Sequence, residues 1–336
     1  MSGVRPALRT AAAIGLVVAL GTGLPAYAGE TTGGDSGNTD PGRSAPGADS
    51  ANGKIGAHIQ IRQSRTGRSG GSTATATSSD ANWKPPVCWY EPMYSADEYE
   101  KFIKDAYGGA REPAASYAKK RDEEDYHKGD KGLWWQVQFR DDDYSTACPV
   151  TTDNWEIWVP PADPRPDPNK LTPEMLSELA YNSTKLPTPP VLLSPAADRL
   201  IVNLGTRVKL DSDFDRVWTT ASIDYKGVRL AATTVATPVA LKIDAGTADA
   251  DPKSCTYDLV KGAGGYTVDS GDAGCNVTYR RSSGSGTYPL KASITWKVTW
   301  TDSADPDGPA RQPGLPDGLS TFEQDVTVKE IQAVNR

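Results

Sequence analysis

The side chains suited to acid–base or nucleophilic catalysis are few in this chain of 336 residues, which contains two histidines. His127 lies in the charged run Arg121–Lys128, together with Glu123, Glu124 and Asp125. A glycosidase needs two facing carboxylates, whereas adjacent residues on a helix point in different directions. A solvated charged surface is the simpler interpretation, so we predict no catalytic residue. An extracellular hydrolase centred on His127 or Glu124 is the third functional hypothesis.

Two aspartate-rich turns contain the residue types that bind calcium. Asp211, Asp213 and Asp215 stand at alternate positions, as at the start of an EF-hand loop, but the glycine and glutamate that this loop needs later are missing. The Asp305–Gly308 turn is of similar composition. Solvated turn residues are the default, so we predict no metal site and leave calcium binding open. The chain has no G-x-x-x-x-G-K-[ST] motif, and no cofactor is predicted.

Four tryptophans lie in two strand-like segments, Leu133–Phe139 and Trp155–Val159. Aromatic side chains stack on sugar rings, and they also fill hydrophobic cores. In these segments the tryptophans occupy positions of opposite parity, so each strand would carry aromatic side chains on two faces. The candidate binding surface consists of Trp134, Trp135, Trp155 and Trp158.

The four cysteines favour two disulfides in an exported protein. Cys88 and Cys148 lie in the first half of the chain, and Cys255 and Cys275 lie close together in the second half. We predict these two pairs, although four cysteines allow three pairings. Each bond would contribute about 3–4 kcal/mol by constraining the unfolded chain. A zinc site is disfavoured, because its ligands cluster at short spacings.

The first residues have the features of a secretory signal peptide. Arg5 and Arg9 flank the apolar run Ala11–Leu20, and Ala26–Ala28 supplies a small-x-small cleavage pattern. We expect residues 1–28 to be removed and the mature chain to be secreted, with no stable membrane insertion afterwards. The net charge is -7, or -9 without the two signal arginines, so there is no electrostatic reason to expect a nucleic-acid partner.

Composition and hydrophobic periodicity divide the remaining chain into four parts. They are a flexible leader rich in Gly, Ser and Thr at 29–82, a small α+β domain at 83–159, a Pro-rich linker with a short helix at 160–195, and a β-sandwich domain at 196–336. The leader contains one short strand, 54–62, whose isoleucines fall on one face. We expect this strand to join the sheet of the first domain, with addition to a partner's sheet edge as the alternative.

Helix starts are marked at two places. Ser95 followed by Glu98 has the form of a capping box. Thr172 followed by Pro173 is typical of an N-cap residue and the first helical position. The sequence therefore predicts helices after Ser95 and after Thr172.

The strongest strand pattern is the segment Leu290–Trp300, in which apolar residues occupy every second position. This alternation predicts a long strand with both tryptophans, Trp296 and Trp300, on a buried face and its lysines in water. Short strands separated by turns surround it, which indicates a β-sandwich. We expect the strand to pair with 322–331 across a Pro/Gly/Asp-rich loop at 301–320. Loops of that length are usually functional or disordered.

A family pattern lies in this β-rich part. The turn Ile243–Thr247, followed by Tyr279 and the segment Gly286–Leu290, resembles the PKD (polycystic kidney disease) domain, which has a W-D-F-G-D-G turn and a later G-x-Y-x-V strand. The turn departs from the family pattern at Ile243, Ala245, Thr247 and Ala248. The order of C-W-Y-E-P, T-P-E-x-L, Y-R-R-S-S and E-I-Q-A-V segments resembles a group of uncharacterised actinobacterial secreted proteins. The chain is thus expected to be mainly β, with a degenerate PKD/Ig-like C-terminal sandwich.

The resemblance implies an exported Ig-like module used for adhesion, spacing or docking, and it brings no catalytic residue. We therefore expect a secreted, non-enzymatic interaction or structural protein of the cell envelope or extracellular space. It would act through contacts with another protein, as an extracytoplasmic part of a larger apparatus. A glycan- or cell-wall-binding module is the second hypothesis. A groove lined by exposed tryptophans would favour glycan, and a cleft holding His127 beside a carboxylate and a hydroxyl would favour the hydrolase.

Overall fold

The computed structural model describes residues 53–64, 73–107, 125–140, 148, 154–161, 170–188, 191–210, 215–269 and 274–331. These residues form a mainly β protein with two α-helices and a curled antiparallel sheet. The predicted fold class, a mainly β chain with a sandwich-like architecture, is confirmed.

Helices and strands are numbered separately in chain order. The helices are α1 (Ala96–Tyr107) and α2 (Pro173–Ser183). The strands are β1 (Gly53–Ile55), β2 (Ile59–Gln63), β3 (Thr73–Thr75), β4 (Thr77–Ser78), β5 (Cys88–Tyr94), β6 (Leu133–Phe139), β7 (Glu156–Val159), β8 (Lys185–Pro187), β9 (Val191–Ser194), β10 (Leu200–Ile201), β11 (Gly205–Leu210), β12 (Val217–Tyr225), β13 (Val228–Asp244), β14 (Ser254–Gly262), β15 (Gly265–Val268), β16 (Val277–Thr278), β17 (Tyr288–Thr301), β18 (Gly318–Val326) and β19 (Val328–Lys329).

One large antiparallel sheet organises the fold, with the order β1-β2-β12-β13-β17-β18-β4 and with β14 and β15 attached beside β13. β13 and β17 are 17 and 14 residues long, and residues 233–244 of β13 pair with residues 291–301 of β17, with a bulge between Pro238 and Ala240. One edge of β13 pairs with β12 before this bulge and with β14 after it. Pro238 suits the point where the neighbouring strand changes, because it has no N–H to donate.

The alternation predicted for Leu290–Trp300 is confirmed in β17. Its apolar side chains are buried, and Lys291 and Lys297 are exposed. The strand pairs with β18, close to the predicted segment 322–331. Its two tryptophans serve different cores, since Trp296 packs in the sandwich core and Trp300 in a second core.

The sandwich core lies between the large sheet and the smaller sheet β16-β11-β9. The second core brings the large sheet together with α2 and with the sheet β5-β6-β7, and Leu176 and Leu179 of α2 are fully buried there. Part of the predicted linker, 160–195, therefore contributes α2 and β9 to the two cores. The boundaries of the domains stay a prediction.

Both predicted helix starts are confirmed. Ser95 N–H donates to Glu98 Oε2 at 2.7 Å, and Glu98 N–H donates to Ser95 Oγ at 3.4 Å, as in a capping box. Thr172 is the N-cap of α2, where its Oγ1 accepts a hydrogen bond from the N–H of Met175 at 3.2 Å. Local side-chain signals therefore fix where both helices begin.

The strand predicted at 54–62 is instead the hairpin β1–β2, which turns at Gly56–His58. Gly56 has φ +66, and this left-handed conformation reverses the chain. The hairpin pairs within its own chain, but β2 joins β12 of the large sheet, so the predicted pairing with the first domain's sheet is wrong. Ile59 and Ile61 are buried in the second core, which the large sheet shares with the sheet β5-β6-β7.

Two short segments of the predicted leader also form strands. β3 pairs with β8, and β4 pairs with β18. Main-chain hydrogen bonds define these pairs and demand no particular side chain, so hydrophobic periodicity does not reveal them. The flexibility predicted for the remaining leader, at 29–52 and 65–72, falls outside the described residues.

Two threonines in a row of three fasten the loop between β17 and β18 to the sheet, and the third, Thr220, is hydrogen-bonded to Thr233 at 2.8 Å. Thr220, Thr233 and Thr301 lie side by side on β12, β13 and β17, and all three are buried. Thr233 Oγ1 donates to the carbonyl of Ser303 at 2.8 Å, and Thr301 Oγ1 donates to that of Asp305 at 2.9 Å. The loop is an ordered part of the fold, so disorder, one of its two predicted states, does not apply.

Burial raises the pKa of Glu178 on α2 to about 7, and the carboxylate of Glu174 adds to this shift. When the pKa of an acid is raised by folding, its contribution to the free energy of unfolding is fully present below the unfolded pKa, which is near 4.5 for Glu178. That contribution is lost as the pH rises through about 7. We therefore expect Glu178→Gln to match the wild type near pH 4 and to exceed its free energy of unfolding by about 1–2 kcal/mol near pH 8, after allowance for solvent screening.

Urea unfolding of both proteins at the two pH values tests this expectation. Glu174→Gln is the control, since Glu174 is exposed. Near pH 8, Glu174→Gln should also raise the free energy of unfolding, but by less than Glu178→Gln does. If Glu178→Gln raised the free energy of unfolding equally at both pH values, the raised pKa of Glu178 would be contradicted.

Candidate functional site

The four predicted tryptophans lie on or beside the sheet β5-β6-β7, but they do not form one surface. Trp134 and Trp135 are 1% and 4% exposed, whereas Trp155 and Trp158 are half-buried. Both faces of β6 are covered, because Trp134 packs with residues of α1 and Trp135 belongs to the second core. The prediction that Trp134 and Trp135 belong to an exposed binding surface is wrong, and only Trp155 and Trp158 remain as candidates for it.

An aromatic cluster covers one face of this sheet; we define it as Tyr99, Tyr126, His127, Trp134 and Trp158. The rings of Tyr99 and Trp134 stack at 4.4 Å, and Trp134 meets Trp158 edge-on at 5.6 Å. The imidazole of His127 lies parallel to the Trp158 indole, with ring centroids 4.4 Å apart. His127 is therefore held against a half-buried tryptophan at the outer end of the cluster.

The backbone that carries His127 is strained. Asp125, Tyr126 and His127 have φ values of 43°, 53° and 61°, in the left-handed region that non-glycine residues avoid. Each such residue costs on the order of 1–2 kcal/mol, and strained conformations of this kind concentrate at functional sites. We call residues 125–130 the strained turn.

Side chains and backbone bonds hold the strained turn in place. Tyr126 is buried, and its carbonyl accepts a hydrogen bond from the Trp134 Nε1–H at 3.1 Å. Lys128 Nζ lies 2.8 Å from Glu100 Oε1 on α1. The hydrogen bonds of Lys104 and Lys128 lower the pKa of Glu100, so this carboxylate is charged where the turn meets α1.

The strained turn presents a set of polar groups at the surface. His127 Nδ1 lies 3.1 Å from Asp130 Oδ2, and Asp130 is largely exposed. Asp130 fixes one ring nitrogen of the imidazole while Trp158 covers one face of the ring. A rigid indole, imidazole and carboxylate in this arrangement can offer a ligand an aromatic edge, a hydrogen-bonding ring and a negative charge.

Sequence reasoning missed a row of polar side chains across the same sheet. Glu91, Gln136 and Glu156 are directly opposite one another on β5, β6 and β7. Both glutamates are almost completely buried. Glu156 accepts hydrogen bonds from the Tyr99 hydroxyl and the Gln136 amide, each at 3.3 Å. Charged residues inside the apolar strings C-W-Y-E-P and W-E-I-W-V were the signal that could have found them.

The two predicted disulfides are present, Cys88–Cys148 and Cys255–Cys275. They occupy all four cysteines of the chain. Cys88 begins β5, and Cys255 lies at the paired end of β14, so each bond ties a connection to a strand.

Metal-ligating side chains do not come together in groups of three or more within the described ranges. Asp211 and Asp213 lie outside those ranges. Asp305 Oδ1 accepts a hydrogen bond from the N–H of Asp307 at 2.9 Å, and the Asp307 carboxylate lies 2.7 Å from Arg216. These aspartates therefore have protein partners in the ordered loop.

The residues of the PKD-like pattern meet in one corner of the sandwich. The Tyr279 hydroxyl donates to the carbonyl of Ala245 at 3.2 Å, and the rings of Tyr279 and Tyr288 stack at 5.6 Å. Burial raises the pKa of Tyr279 well above its usual range, so its hydroxyl remains a donor. Asp244 Oδ1 accepts from the N–H of Gly246 at 2.9 Å. This corner turn, Asp244–Gly246, is a structural feature.

No family model, curated protein or solved structure matches this chain. In the part of the chain that the structure describes, no helix is both long and apolar enough to cross a membrane. Function must therefore be inferred from the geometry of the chain itself.

Proposed function

We propose that this chain is a secreted, non-enzymatic protein of the cell envelope or extracellular space that acts by binding another protein. It would serve as an extracytoplasmic part of a larger apparatus. The observation that carries the proposal is the strained turn, in which three successive non-glycine residues keep a costly conformation. The turn holds His127 and Asp130 beside Trp158 at the surface. A rigid aromatic anchor with polar neighbours is typical of the residues that dominate protein interfaces.

Export is supported by two independent features. The first residues have the pattern of a cleaved signal segment, and the four cysteines form two disulfides, which persist in oxidising compartments. The sandwich and its corner turn support the assignment of the C-terminal half as a degenerate PKD/Ig-like module of the kind found in actinobacterial secreted proteins. Modules of this type serve as spacers and docking units, in agreement with a binding role.

Glycan binding is the second candidate, and the half-buried Trp155 and Trp158 favour it. His127 already covers one face of the Trp158 ring, and Phe139 lies against Trp155 with ring centroids 5.6 Å apart. A sugar would have to use the remaining ring surfaces. These contacts make a protein partner the better-supported ligand.

Capture from envelope and culture extracts tests the proposal, with the mature chain as bait and with protein and glycan readouts. We expect the wild type to enrich a protein. Asp130→Lys, a charge reversal at an exposed position, should reduce the amount of that protein captured by about tenfold or more. Asp325→Lys, at an exposed acid of β18 in the sandwich, makes the same change of charge; it is the matched control and should retain the protein. Recovery of polysaccharide without a protein would overturn the proposal in favour of glycan. Equal capture by both variants would exclude the strained turn as the contact.

A further inference from the structure

β9 forms one edge of the small sheet β16-β11-β9. Within the described ranges, β9 pairs with β11 alone. Every second residue of such an edge strand turns its N–H and C=O away from the sheet, where they can pair with another chain.

The edge strand is short and is flanked by Pro190 and Pro195, but within it the backbone and side chains are open to another strand. Val191–Ser194 contains no charged residue and no proline, and its register with β11 has no bulge. Val191 and Leu193 face the sandwich core, whereas Leu192 is 51% exposed. An added strand would therefore find outward-facing backbone groups and an exposed leucine.

The outward face next to this edge is basic. Lys209 is directly opposite Leu192, Arg207 is opposite Ser194, and both cations are exposed. Neither of them forms a salt bridge with any described residue. In the same sandwich Arg216, Lys291 and Lys297 lie 2.7, 3.4 and 3.2 Å from acidic side chains, whereas the exposed Lys242 and Lys253 also form no salt bridge with a described residue. Arg207 and Lys209 differ from those two lysines because they lie on the strand next to an open sheet edge.

The net charge of the chain helps to show what kind of ligand Arg207 and Lys209 would bind. The full sequence has a net charge of -7, so acidic side chains are in excess. Two adjacent cations that nevertheless have no acidic partner among the described residues complement a negatively charged ligand at this open edge. Adjacent strands are about 4.8 Å apart, so the long side chains of Arg207 and Lys209 can extend across β9 toward carboxylates on a further strand.

We propose that the β9 edge binds an extended, acidic segment of a partner protein, which adds to the sheet as a strand beside β9. Acidic side chains of that segment face outward toward Arg207 and Lys209. Apolar side chains alternate with them and lie beside Val191 and Leu193 at the rim of the core. Backbone hydrogen bonds supply affinity, and the alternation of acidic with apolar residues supplies specificity. This surface is separate from the strained turn.

A labelled peptide that alternates glutamate with valine tests the proposal by fluorescence anisotropy with the mature chain. We expect binding that weakens with salt, and about tenfold or more weaker binding of the peptide in which lysine replaces glutamate. A glutamate–valine peptide with alternate backbone nitrogens methylated cannot donate along one edge, and it should also fail to bind. Equal binding of the methylated peptide would show charge attraction alone and overturn strand addition.

Variants of exposed residues locate the site. Arg207→Glu with Lys209→Glu should weaken peptide binding about tenfold or more. Lys242→Glu with Lys253→Glu is the matched control, since these lysines are also exposed and make no salt bridge with a described residue; binding should stay within about twofold of the wild type after allowance for net charge. Equal losses in both pairs would contradict the assignment to β9. Asp130→Lys should leave peptide binding intact, which separates this inference from the function proposed for the strained turn.

Discussion

Gly246→Ala is expected to lower the free energy of unfolding by about 3 kcal/mol or more. Gly246 has φ +69, which disfavours any residue with a Cβ. A Cβ at this position would lie 2.0 Å from the carbonyl oxygen of Pro289 and 2.6 Å from its carbonyl carbon. Pro289 belongs to β17 and is paired with Asp325 of β18, so its backbone cannot move without disturbing the large sheet.

Gly284→Ala is the matched control. Gly284 also has a positive φ, +61, but a Cβ added there would meet no atom of the described residues within 4 Å. Its expected cost is the conformational preference alone, about 1–2 kcal/mol. Urea unfolding of the two variants then separates the steric contribution from the backbone preference. Equal losses in the two variants would contradict the close approach of the corner turn to Pro289.

Local patterns in the sequence predicted the elements whose formation depends on local side chains. The alternation in β17 indicated its buried tryptophans, because the side chains of a strand project to opposite faces. Ser95 and Thr172 indicated the helix starts, because their side chains cap the first free N–H groups. The spacing of the cysteines agreed with the disulfides that form. For the strand and the helix starts the physical cause lies close in sequence to the feature, whereas Cys88 and Cys148 are 60 residues apart and were paired because both lie in the first half of the chain.

Pairings between distant segments were not predictable in the same way. The isoleucines of β2 indicated a buried strand, but nothing in them distinguishes the edge of β12 from the edge of another sheet. The burial of Trp134 and Trp135 depends on α1 and the second core covering opposite faces of β6. One strand cannot reveal how many of its faces are covered. The sequence therefore predicted an aromatic surface where the fold forms two packed faces.

The candidate site was predictable only in part. His127 and Trp158 were recognised as chemically capable side chains, but their stacking requires the left-handed turn at Asp125–His127. Non-glycine residues with positive φ leave no reliable mark in a sequence, because tertiary contacts impose them. The cations of β11 became informative only when the register placed them beside an open sheet edge. Site geometry here is a property of the assembled sheets.

Glu91→Gln is expected to lower the free energy of unfolding by about 2–3 kcal/mol. Glu91 is fully buried, and its two oxygens accept the Trp89 Nε1–H at 2.8 Å and the His58 backbone N–H at 2.7 Å. A glutamine has one acceptor oxygen, so its NH₂ group would face one of these donors. The variant keeps the side-chain volume, and the loss therefore reports the hydrogen bonds and not a cavity.

The effect should be largest in the hairpin β1–β2, because His58 lies in its turn and Glu91 joins that turn to β5. Amide hydrogen exchange at Ile59 and Ile61 should accelerate in Glu91→Gln by more than exchange in β17 does. Glu98→Gln is the control: Glu98 is a half-exposed acid that pairs with Lys226 and accepts the Ser95 N–H, and a glutamine oxygen can still accept from Ser95, so the change should cost at most about 1 kcal/mol. Uniform acceleration across the large sheet would show that Glu91 stabilises the whole fold. Acceleration confined to β2 would instead identify the hairpin as a unit that this buried carboxylate fastens to the rest of the protein.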